Sequence, residues 1–238
     1  NVVLFHDTFM NFNHPQSGIS ATQLLESLGY KVNIVDRKCC GKPMISHGLL
    51  NEAEQNAKHN IEALYPHVET GAKIVGCESS CLYTLKDDYP DLLKQDERAL
   101  KVSDATIMLE DLLVSTNGDG KQQITWASKT KHVQLFVHCH QRALSSTKNA
   151  FDALTLPPGY SVSLIESGCC GMAGSFGFEK EHYDISMKIG EDRLFPTIRK
   201  IPKDNVIAVT GVSCKQQIED GTGRNAYFLS EILADALT

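Results

Sequence analysis

The chain has 238 residues, 42% hydrophobic and 22% charged, a composition that supports one large globular domain or two small ones with an apolar core. Its formal net charge of −6 leaves no basic surplus to neutralise phosphates, which argues against nucleic acid as a partner. No apolar run approaches the roughly 20 residues that cross a bilayer, so no transmembrane segment is expected.

In chain order, an apolar run at 2–5 predicts a strand, and Ala21, Leu24, Leu25 and Leu28 predict an amphipathic helix by their i, i+3, i+4, i+7 spacing. Gly29 follows as a helix stop. A second strand is predicted over 32–35, leading directly into Cys39-Cys40-Gly41. A helix with its stripe at Leu50, Ala53, Ala57, Ile61 and Leu64 precedes a third strand over 73–76, then Ser80-Cys81 and another helix. The region 115–130, containing Asn117-Gly-Asp-Gly120, carries turn signals and is the expected connection. Beyond it the series recurs: a strand over 133–137, a helix ending near Leu154, the turn Pro157-Pro158-Gly159, a strand over 162–165, Cys169-Cys170-Gly171, a helix over about 183–194, a strand over 206–209, and Ser213-Cys214.

The recurrence is a duplication. Residues 29–41 align without a gap on 159–171, with six of 13 positions identical. Val2–Phe5 falls over Val133–Phe136, which places Thr8 opposite Cys139, and Ser80-Cys81 falls over Ser213-Cys214. The spacings agree: 31 positions from Thr8 to Cys39 against 30 from Cys139 to Cys169, and 41 from Cys40 to Cys81 against 44 from Cys170 to Cys214. The expected fold is therefore α/β, with two tandem βαβ-type Cys-Cys-Gly repeats, each with a parallel sheet, related by a pseudo-twofold duplication. The expected domains are 1–115, a connection at 116–130, and 131–238. Because each anchor follows a strand, the distant cysteines should converge on the carboxyl-end rim of each sheet, where such folds bind ligands.

Eight cysteines in a chain with no recognisable secretory leader read as metal ligands or redox groups more readily than as disulfides. The expected location is cytoplasmic, or peripheral to the inner face of a membrane. The opening at Asn1 without a methionine suggests a fragment, a processed chain or a renumbered one. The second repeat supplies four thiolates, Cys139, Cys169, Cys170 and Cys214, a set that suits a [4Fe–4S] cluster or tetrahedral zinc. Adjacent cysteines bridge different irons more easily than they chelate one zinc. The loop with Gly171, Gly174, Ser175 and Gly177 lets backbone N–H groups approach a cofactor, and His138 and His140 flank Cys139 as candidates for proton transfer or substrate contact. The first repeat keeps Cys39, Cys40 and Cys81 but has Thr8 in place of the fourth thiol. Cys77, His6 or Asp7 are the candidate replacements, and this repeat is expected to hold zinc or no metal rather than a second cluster. Glu78, between Cys77 and Cys81, is an unfavourable neighbour for an anionic cluster. No flavin, nicotinamide or phosphate-loop motif is present in the sequence.

The duplicated pattern resembles the Cys-Cys-Gly cysteine-rich domain found in heterodisulfide reductase, the glycolate oxidase iron–sulfur protein and lactate-utilisation proteins. His138-Cys-His-Gln141, Ser167-Gly-Cys-Cys-Gly-Met-Ala-Gly-Ser-Phe-Gly177, Val212-Ser-Cys-Lys-Gln-Gln-Ile218 and Asp7-Thr-Phe9 look like the C-terminal iron–sulfur region of FAD-linked D-2-hydroxy-acid oxidases. The resemblance implies a module that carries electrons from reduced FAD, held on a partner flavin domain or subunit, through a cluster to a downstream electron acceptor. The substrates implied are of the D-lactate, glycolate or D-2-hydroxyglutarate class. The alternative is a structural zinc-binding or docking module of such an enzyme. Heterodisulfide reductase ends each repeat in Cys-x-x-Cys, and Gly211 stands where the first of those cysteines would be.

Overall fold

The computed structural model describes residues 1–118 and 124–238. The chain forms two compact units, Asn1–Ile124 and Thr125–Thr238. The helix Leu109–Gly118 reaches into the expected connection, whose residues 119–123 lie outside the described ones.

The two units repeat one topology. In the first, β1 (Val2–Leu4), β2 (Val32–Asn33), β3 (Lys73–Gly76) and β4 (Thr106–Met108) form an all-parallel sheet in the order β2-β1-β3-β4. In the second, β5 (Lys131–Phe136), β6 (Tyr160–Leu164), β7 (Val206–Val209) and β8 (Ala226–Phe228) follow in the order β6-β5-β7-β8, again all parallel. Helical crossovers cover such strands, so the central ones are rich in buried apolar residues: Val2, Val3, Ile74, Val75, Val133, Leu135, Ala208 and Val209 are all fully buried, with Gln134 interrupting the run in β5.

The helical stripes do what their spacing implies. Ala21, Leu24 and Leu25 of the helix Pro15–Ser27 are buried, Leu28 beyond its end is buried too, and Gly29 closes the turn at φ +75°. Ala53, Ala57, Ile61 and Leu64 of the helix Leu50–Glu69 face the core. Leu50 itself is exposed, because the first helical residue lies short of the packed stripe. The second strand of each repeat ends earlier than predicted, although β6 begins two residues before its expected start. β2 ends at Asn33 and β6 at Leu164, both at a sheet edge, and Ile34 and Leu164 are exposed. Five non-strand residues, 34–38, therefore separate β2 from Cys39 where a direct run into the cysteines is predicted. Among the described residues, no helix is long and apolar enough to cross a membrane.

Candidate functional site

The order of the second sheet gathers its cysteines. Central strand β5 pairs with β6 on one side and β7 on the other, with Leu135 opposite Leu164 and Phe136 opposite Val209. Cys139, Cys169 with Cys170, and Cys214 each follow the carboxyl end of one of these three adjacent strands. Cys139 opens the helix Cys139–Leu144, and Cys214 lies in the first turn of the helix Val212–Thr222. The Cys169 thiol donates to Cys170, whose thiol donates to Cys214, and Cys139 lies close enough to Cys169 for their charges to interact. Cys170 and Cys214 are buried, whereas Cys139 and Cys169 are exposed.

Glycine is required where this loop meets the rest of the repeat. Gly171 has φ +99°, and a Cβ there would lie 2.1 Å from the Ser186 carbonyl oxygen; its N–H donates to Cys169 Sγ at 3.3 Å. Gly177 is equally confined, since a Cβ would lie 2.5 Å from Ser186 Oγ and 2.6 Å from Met172 Sδ. The buried Gln217 amide fastens Ser186, donating to its carbonyl at 3.1 Å and its hydroxyl at 3.0 Å. Gly174, with φ +71°, makes the turn between them, and Ser175 directly precedes the short 3₁₀ turn Phe176–Phe178.

His138 and His140 differ in placement. His138 is buried and caps the Cys139 helix, its Nδ1 accepting from the His140 N–H at 3.2 Å; burial, then the Arg142 guanidinium, push its pKa down to about 4. His140 is half-exposed on the helix that starts at Cys139. Arg142, to which no sequence motif points, donates to the Ser167 carbonyl at 3.2 Å and favours the thiolates of Cys139 and Cys169. The signal available for it is its place one turn after Cys139.

The first repeat copies this thiol arrangement with one of the four cysteines replaced. Cys39 donates to Cys40, and the Cys40 thiol donates to Cys81 Sγ at 3.2 Å. Thr8 occupies the position of Cys139, and its hydroxyl hydrogen-bonds to Cys39 while accepting from Arg37 Nη1 at 3.3 Å. Buried Asn60 anchors the loop, accepting from the Lys38 N–H at 2.7 Å and donating to the Lys38 carbonyl at 3.2 Å and the Tyr89 hydroxyl at 2.8 Å. Two buried carboxylates stand beside this group, Asp7 and Glu78. Burial and then the Glu78 charge raise Asp7 to about 7, against the N–H bonds from Met10 and Phe9. Although the bond from Cys40 pulls the other way, burial and the charges of Asp7 and Glu78 push the Cys81 thiol up to about 11. Cys77 follows β3 directly and is half-buried, while the described thiol contacts run through Cys39, Cys40 and Cys81. His6 gives its carbonyl oxygen to Arg37 Nε at 2.7 Å.

Desolvation and mutual contact raise the pKa of Cys39, Cys40, Cys81, Cys139, Cys169 and Cys170. Cys169 is raised chiefly by donating to Cys170, and Cys139, although exposed as a residue, by partial desolvation of its sulfur and then by the neighbouring Cys169 charge. Among the described residues, no three His, Cys, Asp or Glu side chains are arranged around one ion position; the thiols form chains of neighbours. The donor chemistry of the second repeat nevertheless suits a metal cluster: four soft thiols share one rim, a backbone N–H points at sulfur, and a guanidinium offsets charge.

The family model described as "Cysteine-rich domain" (CCG) matches residues 3–86 and 133–219, both repeats. The chain belongs to this family. Its relatives include a subunit of anaerobic glycerol-3-phosphate dehydrogenase from Escherichia coli K12, 31% identical over 242 residues that cover 99% of this chain and 59% of the relative. D-2-hydroxyglutarate dehydrogenase of Pantoea ananatis is 25% identical over 93% of this chain and 21% of the relative. Lactate utilization protein A 2 of Bacillus cereus is 28% identical over 78% of this chain and 77% of the relative. The cysteine-rich chain thus spans about three fifths of the first of these and a fifth of the second. It is a module related to dehydrogenases and their subunits.

Proposed function

We propose that the second repeat holds an iron–sulfur cluster of the [4Fe–4S] type through Cys139, Cys169, Cys170 and Cys214, and that the chain carries electrons for a flavin-containing catalytic domain or subunit. The observation that carries this reading is the convergence of four thiols on one rim, Cys139, Cys169 with Cys170, and Cys214 each following the carboxyl end of one of three adjacent strands. When bound, the cluster supplies one-electron storage at a potential set by its charge and hydrogen bonds. The residues do the rest. The four thiols would hold the cluster as thiolates, and Arg142 beside Cys139 and Cys169 would compensate their negative charge. The Gly171 N–H, which donates to Cys169 sulfur at 3.3 Å, would raise the potential of a cluster held there. Buried Cys170 and Cys214 exclude water on one side, while exposed Cys139 and Cys169 leave an edge for electrons to enter and leave.

The three relatives bear the names of glycerol-3-phosphate, 2-hydroxyglutarate and lactate, each a small anion with a secondary alcohol. The partner is therefore a flavoenzyme oxidising such an alcohol, with 2-hydroxy acids as the leading class, and a separate acceptor takes the electrons. The first repeat is not assigned a cluster. Thr8 stands at the fourth position, and Asp7 and Glu78 place carboxylates beside the thiols. Iron, acid-labile sulfide and zinc measured on anaerobically prepared chain, with an EPR spectrum after reduction, test the proposal. Iron and sulfide in equal amounts support it; zinc near one equivalent without sulfide overturns it in favour of a structural or docking role.

A further inference from the structure

Cys139 and Cys214 stand beyond neighbouring strand ends, and the sheet pairing stops short of both: the last register pair of β5 and β7 is Phe136 with Val209. A single residue spans the gap that follows. The His138 N–H donates to Thr210 Oγ1 at 2.9 Å, and its ring Nε2 lies 3.2 Å from Ser213 Oγ. Because Nδ1 accepts the His140 N–H, the ring proton sits on Nε2, which therefore donates to Ser213. The ring also lies directly against Gly211, where a Cβ would come within 2.6 Å of Cδ2 and 3.0 Å of Cγ. One histidine thus joins the position before Cys139 to the segment leading into Cys214, through two hydrogen bonds and a close packing contact.

The first repeat shows the same two places with other chemistry. Asp7 precedes Thr8 as His138 precedes Cys139, and Glu78 lies three before Cys81 as Gly211 lies three before Cys214. There the facing groups are two buried carboxylates that repel one another. The bridging imidazole and the fourth thiol therefore occur together, and both are replaced together.

We propose that His138 is a positioning residue for the metal centre, a strut seated on Gly211 and bonded to Thr210 and Ser213 that holds Cys139 and Cys214 at a fixed separation. This rests on the assignment of a cluster to the second repeat. It accounts for glycine at position 211, where a Cβ would press on the His138 ring, and it gives Ser213 a role beside the ligand it precedes.

The test compares Gly211→Ala, His138→Ala, the double variant and Ser213→Ala, each in the full chain prepared anaerobically. The readouts are iron and sulfide content, the rate at which a strong iron chelator bleaches the cluster, and the melting temperature. Gly211→Ala and His138→Ala should each speed bleaching by about tenfold or more, the usual consequence of losing a contact behind a ligand. In the double variant the alanine methyl meets no ring, so Gly211→Ala should add nothing further to His138→Ala. Ser213→Ala, which leaves the packing intact, should speed bleaching several-fold with little change in melting temperature. Bleaching at the wild-type rate in the His138 and Ser213 variants, or fully additive effects of the two alanines, overturns the strut. Wild-type chain free of iron and sulfide overturns the cluster assignment instead. The strut's packing is then read from melting temperatures alone, where additivity of Gly211→Ala and His138→Ala refutes it and non-additivity sustains it.

Discussion

The thiol chain Cys39–Cys40–Cys81 of the first repeat and its counterpart Cys169–Cys170–Cys214 in the second end on different neighbours. In the second the next group is Cys139, with Arg142 close by and a neutral imidazole behind. In the first it is Thr8, tied to Arg37, with two carboxylates behind. The sheet order is the same, so the fold alone does not decide what the rim holds. Three or four side chains beyond the strand ends decide it, through the number of soft ligands and the charge a metal group would meet.

Ligand removal separates the repeats most sharply. Cys214→Ala should abolish iron and sulfide binding, whereas the matching Cys81→Ala should leave both at the wild-type level. Iron analysis of the two proteins checks this. A chain that loses its iron with Cys81→Ala would move the site to the first repeat.

Substitution of the matched glycines comes next. At Gly171 a Cβ meets the Ser186 carbonyl at 2.1 Å as well as a positive φ, whereas at Gly41, φ +92°, the nearest atoms are at an ordinary 3.5 Å. Gly41→Ala should therefore cost about 1–2 kcal/mol through backbone strain alone. Gly171→Ala should cost more, on the order of 3 kcal/mol or above, because the backbone of the Ser186 helix must also shift. Chemical denaturation of both variants in the metal-free state measures the difference.

The carboxylate pair gives the first repeat a pH dependence of its own. Asp7 binds its proton more tightly folded than unfolded, since its pKa is raised from 3.8 to about 7. Unfolding therefore releases a proton across this range. The contribution is full below about pH 4 and is lost as the pH rises towards about 7. Asp7→Asn keeps a side-chain oxygen for the helix cap and removes the charge. It should flatten that slope and stabilise the protein above pH 7 by no more than a few kcal/mol, as denaturation midpoints across pH would show. The smallest effect belongs to the ion pair of Lys42 and Asp88, 2.9 Å apart and partly exposed. Lys42→Ala should lower stability by about 1 kcal/mol or less.

Much of this is legible in the sequence because a duplication carries its own control. Aligning residues 29–41 with 159–171, and Val2–Phe5 with Val133–Phe136, locates the first two strands, the cysteine loops and the substituted position Thr8 without any structure. The fourth strands, Thr106–Met108 and Ala226–Phe228, escape because three residues show no usable alternation. The ends of β2 and β6 are overrun because Ile34, Val35 and Ile165 are good strand formers by type but fall past the last paired residues of edge strands. At the site, cysteines announce themselves by residue type, whereas Arg142, Thr210 and Ser213 are ordinary residues whose part depends on a neighbour far along the chain. Gly211 stands out in the sequence as a missing cysteine, and only the packed imidazole explains why it is glycine.

The most direct measurement is metal and sulfide stoichiometry on the anaerobically prepared chain, with Cys139→Ser alongside. One cluster's worth of iron and sulfide per wild-type chain, lost in Cys139→Ser, is the expected result. A second cluster's worth of iron, or iron retained in Cys139→Ser, would contradict the division of labour between the two repeats.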